Sequence, residues 1–494
     1  MKILRRPATA LAPAVALAAL LNVPAVAAPA ADDPSNAPVG AIRWQPCAQD
    51  ATADCGTLSL PVDWHHPRGA RFDLALARRR ATDPAHRIGP LVFGPGGPGQ
   101  SGVNVILRNT EFGPEVRARF DLVGYDPRGG NRSNPLRCDP AVVDRHPSAD
   151  PVTPAGFAAL TAYNRDLAAS CRQGTGPLYD HLDTTSVARD VDAIRAALGE
   201  RRLTFVGGSY GTMAGQRYAE LFPHRIRALV VDGNLDHSAD TGRFLDSGTV
   251  AAEDSFAEFV RWCDADTRCM LHGRDPAGVY ARLYQRAEAG TLALPGDPNT
   301  RLTPYALSDH VVKGFYEPSW SQLAARLDDL DRQPPGRPTL PPFTPPPNRD
   351  TPYKQAMFCS DFRIDIAGAD ELAATKRRMA ALAPRLRLSG LTWDMLTTCL
   401  GNPVPVTNPP RPYRVHGAPP ILVINSRHDP ATPYTFAVEV ARQIPRAVLL
   451  TYDGWGHIAF ERSACVRAAM DRYLIDLRTP PVGTHCAPEP PAAG

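Results

Sequence analysis

Lysine is nearly missing from this chain. Its 494 residues contain Lys2, Lys313, Lys354 and Lys376 and no others, so the 54 basic residues are almost all arginine. Set against 51 acidic residues they leave a formal charge of +3, too small a surplus to mark nucleic acid or an anionic membrane as a partner. The arginine bias reads as composition rather than phosphate recognition. Metal-site spacings are absent as well: there is no C-x-x-C pair and no H-E-x-x-H, which argues against zinc. A dinucleotide site is not expected, and no cofactor is implied. Beyond the first residues no apolar run is long enough to span a bilayer, and no internal repeat is apparent.

What is present starts at the N-terminus. Lys2, Arg5 and Arg6 precede an Ala/Leu/Val run from Ala8 to Val23, and Ala25-Val26-Ala27 follows as an A-x-A pattern. That order predicts a secretory signal peptide over residues 1–27, cleaved after Ala27. A small, polar segment over 28–39 follows. The first cysteine is Cys47, far from the cleavage site, which argues against a lipid anchor. An exported, extracellular protein with ten cysteines is expected to carry five disulfides. Counting does not fix their connectivity, but proximity in sequence suggests Cys47 with Cys55, Cys138 with Cys171, Cys263 with Cys269, Cys359 with Cys399, and Cys465 with Cys486. A composition of 43% hydrophobic residues is enough to bury a core. Of the 52 prolines, roughly twice the usual share, eight fall in a run over 333–350 that reads as an extended loop of polyproline II character.

The apolar periodicity gives the architecture. Two alternating segments within 58–81 predict antiparallel strands. Short apolar runs at 90–93, 120–125 and 203–206 then end in Gly-rich turns, and residues 186–198 place Val187, Val191, Ile194 and Leu198 on one helical face. Strand, turn and helix in repetition predict a parallel α/β sheet with its function at the strand C-termini. After a further strand at 227–232 the rhythm stops, to resume with strands at 420–425 and 447–452. The interval, with a helical stretch at 251–262, reads as an inserted, mostly helical cap. The expected organisation is a core over 40–235, a cap over 236–412 and the rest of the core over 413–494.

The sharpest local signal is Gly207-Gly208-Ser209-Tyr210-Gly211, a G-x-S-x-G run entered by a strand and left by a helix-like stretch. Such a turn needs little bulk two positions either side of the nucleophile and exposes the serine hydroxyl at the mouth of the sheet. A hydroxyl needs a base to take its proton, and chain order places acid and histidine downstream. Asp429 follows the strand at 420–425, and His457 lies in a Gly-flanked loop after the strand at 447–452. His428 and Asp453 are rivals, each beside a preferred residue and each ranked lower because it would share a loop with its own partner. An oxyanion needs donors, expected from the backbone N–H of Tyr210 and of Gly97, the latter in Gly94-Pro95-Gly96-Gly97-Pro98-Gly99.

With those residues in view the chain resembles secreted α/β-hydrolase peptidases of the prolyl and tripeptidyl aminopeptidase group, the actinobacterial tripeptidyl type above all. The resemblance rests on LVFGPGGPGQSG at Leu91, FDLVGYDPRGGNRS at Phe120, FVGGSYGTMAGQRYAELFPHRIRALVVDG at Phe205, HDPATPY at His428 and GHIAF at Gly456. It implies an α/β-hydrolase fold with a helical cap inserted before the last two strands, and Ser209, Asp429 and His457 as triad. Pro95 stands where the prolyl enzymes have histidine, which favours the tripeptidyl type. An aminopeptidase must also hold the substrate ammonium, for which Asp361 and Asp232 are the candidates. The implied partner is a peptide, or a small ester or amide. A carboxylesterase and a catalytically silent binding protein on the same scaffold are the rival readings.

Overall fold

The computed structural model describes residues 40–147, 151–294, 297–334 and 351–491. The expected signal peptide, the segment over 28–39 and all of the proline-rich run from 335 onward lie outside the described residues. In chain order the strands are β1 (Arg43–Pro46), β2 (Asp54–Pro61), β3 (Arg71–Arg79), β4 (Gly89–Gly94), β5 (Phe120–Tyr125), β6 (Leu203–Gly208) and β7 (Ile226–Asp232). A separate hairpin of β8 (Ala293–Leu294) and β9 (Asp297–Arg301) comes next, before β10 (Ile421–His428), β11 (Ala447–Trp455) and β12 (His485–Cys486). All but the hairpin form one sheet in the order β1-β2-β3-β5-β4-β6-β7-β10-β11-β12. The first three strands and β5 pair antiparallel; from β5 onward every neighbour is parallel.

Strands covered on both faces should read as continuous apolar runs, with alternate residues serving opposite layers. They do. Val92, Phe205, Leu229, Val231 and Val423 enter one core, whereas Leu91, Phe93, Val206, Val230, Leu422 and Ile424 enter the other. The first layer takes the helices Pro154–Thr175 and Thr184–Ala197. The second takes Gly102–Arg108 and Ala464–Asp476. The predicted strands are all present within a few residues, with β1 and β12 added at the edges. Sequence reading did not place the long helix Pro154–Thr175. β11 also runs through Trp455, further than its apolar stretch, because it continues to pair with His428.

The chain between β7 and β10 forms the helices Thr241–Ala265, Pro276–Glu288, Pro304–Lys313, Trp320–Arg332, Thr351–Asp361, Ala369–Leu382 and Gly390–Thr398. Part of it has a core of its own, built on Phe256, Phe259, Tyr280, Phe315, Trp320 and Leu327. Phe244, Tyr353, Phe358 and Trp393 instead join the first layer of the main sheet. The inserted segment is therefore welded to the core rather than hinged on it. The five cysteine pairs suggested by proximity are the pairs the structure holds. Among the described residues no helix is long and apolar enough to cross a membrane.

One buried ion pair anchors the loop after β5. Arg128, fully buried, donates through Nε and Nη2 to Asp190 at 2.7 and 2.6 Å, and through Nη1 to the carbonyls of Val62 and His181 at 2.8 Å. Trp64 Nε1 adds a third donor to Asp190 at 3.0 Å. With its donors matched this way, the guanidinium fixes the Asp126–Asn131 loop beside the mouth of the sheet.

Candidate active site

β6 delivers Ser209 to a turn in which it alone of its neighbours adopts φ +54°. A side chain held in the left-handed region is strained by about 1–2 kcal/mol, and the surroundings show what holds it. Ser209 N–H donates to the Asp232 carbonyl at the end of β7 at 2.9 Å. The helix Gly211–Leu221 begins immediately, so close to β4 that a Cβ on Gly211 would lie 2.2 Å from the Gly94 carbonyl oxygen. Gly96 is equally constrained, since a Cβ there would stand 2.8 Å from Ser209 Cβ. The hydroxyl is thus framed by the β4 loop on one side and a helix N-terminus beneath it, whose dipole favours negative charge.

Asp429 and His457 meet as expected. His457 Nδ1 lies 2.9 and 3.1 Å from the two oxygens of Asp429. Asp429 is also held by the backbone N–H groups of Ala431 and Thr432, at 2.8 and 2.9 Å, and by Thr432 Oγ1 at 2.8 Å. Both residues are buried. Burial opposes the charged imidazole, but the Asp429 charge and hydrogen bond outweigh it and hold His457 above its usual value. Against the other edge of the ring lies Gly233, where a Cβ would be 2.9 Å from His457 Cε1. Tyr316, from the inserted segment, accepts the His457 N–H through its carbonyl at 2.9 Å and sets its ring edge-on at 5.2 Å. Ser209 Oγ makes no hydrogen bond to the imidazole in this conformation; the serine and histidine turns are joined through Asp232 and Gly233.

The rivals are employed elsewhere. His428 Nδ1 pairs with Asp254 at 2.6 Å. Asp453 accepts from Arg427 at 2.8 Å and pairs with His485 at 3.0 Å. The carboxylate and histidine cluster that comes closest to metal-ligand geometry among the described residues is Asp254, Glu258 and His428, with ligand atoms within 4.8 Å of one another. Its Glu258 already accepts from Trp455 Nε1 and pairs with Arg261.

The two carboxylates considered for an ammonium stand differently from that expectation. Asp361 is fully buried and accepts from Thr184 N–H at 3.0 Å, Thr184 Oγ1 at 2.6 Å, Tyr210 Oη at 2.6 Å and Asn408 Nδ2 at 2.7 Å. With both oxygens filled by protein donors it is a brace behind Tyr210, closed to substrate. Asp232 is likewise fully buried, and its Oδ2 accepts from Phe460 N–H at 2.8 Å. Gly97 follows Gly96 with φ +109°, while the Gly96 N–H itself donates to Gln100 Oε1 at 3.0 Å. The parts sequence reading missed are Thr432 and Tyr316. Thr432 lay within HDPATPY and could have been read as a short-range donor to Asp429; nothing local distinguishes Tyr316.

A serine on a strained strand-to-helix turn after β6, with a buried Asp–His pair in the turns that follow β10 and β11 of the same parallel sheet, defines the class: a serine hydrolase. The chain belongs to the alpha/beta hydrolase fold family, which matches residues 89–464. It is similar to the serine protease Hip1 of Mycobacterium tuberculosis, 34% identical over 90% of this chain and 91% of that protein. Carboxylesterase B of the same organism is 33% identical over 93% of each chain. The tripeptidyl aminopeptidase of Streptomyces lividans is 30% identical over 90% of this chain and 87% of that protein.

Proposed function

We propose that this enzyme is an exported aminopeptidase that releases short peptides, tripeptides in the first instance, from peptide N-termini by way of an acyl-enzyme. The observation that carries the catalytic reading is the bidentate approach of His457 Nδ1 to Asp429, which leaves Nε2 free to act as base. Similarity over 90% of the chain to a tripeptidyl aminopeptidase supports the substrate class.

In the proposed mechanism His457 Nε2 takes the proton as Ser209 Oγ attacks the scissile carbonyl, and Asp429 steadies the imidazolium and its tautomer. The carbonyl oxygen becomes an oxyanion, received by the backbone N–H groups of Tyr210 and Gly97 over the head of the Gly211–Leu221 helix. Collapse expels the amine, which takes the proton from His457. Water then attacks the acyl carbon by the same relay and restores Ser209. A cavity of about 640 Å³ lined by Gly99, Asn131, Leu136 and Tyr353 among others lies beside the β4 loop, with none of Ser209, Asp429 and His457 in its lining. The inserted segment acts as the cap that limits the cleft, Tyr316 bringing it onto His457. Five disulfides suit the oxidising compartment that the N-terminal 1–27 signal implies.

Esterase activity is the second reading, favoured by the similarity to carboxylesterase B over 93% of the chain. Turnover of tripeptide arylamides against acyl esters decides between them: efficient ester cleavage with no amide cleavage sinks the peptidase reading. Stoichiometric labelling of Ser209 by a fluorophosphonate, lost in Ser209→Ala, excludes a silent binding protein.

A further inference from the structure

Asp232 hydrogen-bonds both to the nucleophile turn and to the segment that follows His457, and it takes no chemical step in the proposed reaction. It ends β7 between the nucleophile strand β6 and the acid strand β10. Its main-chain carbonyl receives the Ser209 N–H at 2.9 Å. Its side-chain Oδ2 receives the Phe460 N–H at 2.8 Å. Phe460 lies in Ala459–Arg462, the single turn of helix that starts two residues after His457. That turn is reached through Gly456 at φ +95° and Ile458 at φ +66°. Left-handed backbone flanks His457 on both sides, and the β-branched Ile458 is not held there by local preference; at the head of the turn it supplies no side-chain cap.

We propose that Asp232 is a positioning residue that couples the nucleophile turn to the histidine loop, its carbonyl holding Ser209 and its carboxyl group capping the strained turn that aims His457. The other oxygen, Oδ1, is buried and has no partner, so one acceptor atom performs the capping and the second is dispensable for it. Burial pushes the carboxyl up to about 7, against the Phe460 and Ala459 N–H groups that favour its charged form; the Asp429 charge raises it further and His457 opposes that. The cap therefore works with a neutral or charged carboxyl, since Oδ2 accepts in both states. Asp429 and His457 are the ionisable groups this carboxyl senses.

The inference rests on the serine-hydrolase reading but not on the choice between peptide and ester, so the test uses the wild-type enzyme, Asp232→Ala and Asp232→Asn with a fluorophosphonate and an acyl ester. Asp232→Ala removes the acceptor; the rate of Ser209 labelling and kcat are expected to fall about 10- to 100-fold, the cost of misplacing a reacting group by about an ångström, with KM within about twofold. Asp232→Asn keeps a carbonyl oxygen for the Phe460 N–H and should recover the rate to within about threefold. It should also move the acidic limb of kcat/KM to lower pH, because a negative charge near His457 is lost. The proposal is overturned if Asp232→Ala labels and turns over at the wild-type rate. It is equally overturned if Asp232→Asn is as impaired as Asp232→Ala, or if the loss merely tracks the folded fraction seen by circular dichroism. Failure of the wild type itself to label would instead refute the serine-hydrolase reading.

Discussion

Tyr210 Oη donates a 2.6 Å hydrogen bond to Asp361 Oδ2. The first residue follows the nucleophile and lends its backbone N–H to the proposed oxyanion hole; the second ends a helix of the inserted segment. The bond therefore fixes, from the inserted segment, a group on which charge stabilisation depends. Asp361 also terminates the approach of Thr184 and Asn408, so four donors converge on one buried carboxylate.

Removing that carboxylate should damage stability and rate together. Asp361→Ala leaves buried donors without acceptors, at about 1–3 kcal/mol for each unsatisfied group. Unfolding in guanidinium should show a loss of several kcal/mol. Asp361→Asn keeps one acceptor and should lose less, with kcat reduced and KM nearly unchanged; unaltered kcat in both variants would disconnect Tyr210 from the inserted segment.

The pH profile follows from His457. The imidazole must be neutral to accept the Ser209 proton, and Asp429 holds it above its usual value in spite of burial. kcat/KM should rise with pH through a midpoint above about 6.5, the ordinary histidine value. Asp429→Asn should lower that midpoint and cut kcat by about 10⁴. A raised folded-state pKa also stabilises the fold below the unfolded value, and that contribution disappears as pH rises through the folded one. A midpoint below about 6 in the wild type would contradict the pairing.

Arg128 and Asp190 give a stability test away from the chemistry. Burial pushes the Asp190 carboxyl up even with the guanidinium charge opposing it, which is the mark of a pair that depends on both members. Arg128→Met should cost about 3–5 kcal/mol by stranding Asp190. The double variant Arg128→Met with Asp190→Leu should recover much of it. Additive losses in a double-mutant cycle would show that the two do not act as a unit.

The Cys359–Cys399 bridge closes a sequence separation of 40 residues between two helices of the inserted segment. Replacing both cysteines by serine should destabilise the fold by about 2–4 kcal/mol. Because Cys359 lies two residues before Asp361, tripeptide-arylamide turnover should fall as well, and thermal unfolding monitored alongside activity separates the two effects.

Much of the site was legible before folding because its rules are local. A Gly-x-Ser-x-Gly turn between strand and helix, an Asp after one strand and a Gly-flanked His after the next are short-range patterns, and Ser209, Asp429 and His457 could be named from them. The strands β4 to β7 were legible for the same reason: runs buried on both faces are apolar throughout. Five local cysteine pairs needed only proximity. What sequence left open is where a carboxylate points. Asp361 and Asp232 look alike as acids beside a cleft, yet partners from Thr184, Tyr210, Asn408 and Phe460 turn both inward. Those donors lie scores to hundreds of residues away in the chain, and burial of a charge depends on all of them arriving together. Tyr316 against His457, and the division of the inserted segment between its own core and that of the sheet, were decided the same way. Sequence alone determined which groups are available for chemistry; the tertiary structure decided which of them face substrate and which hold the others in place, because desolvation and hydrogen bonding are settled only when distant segments pack.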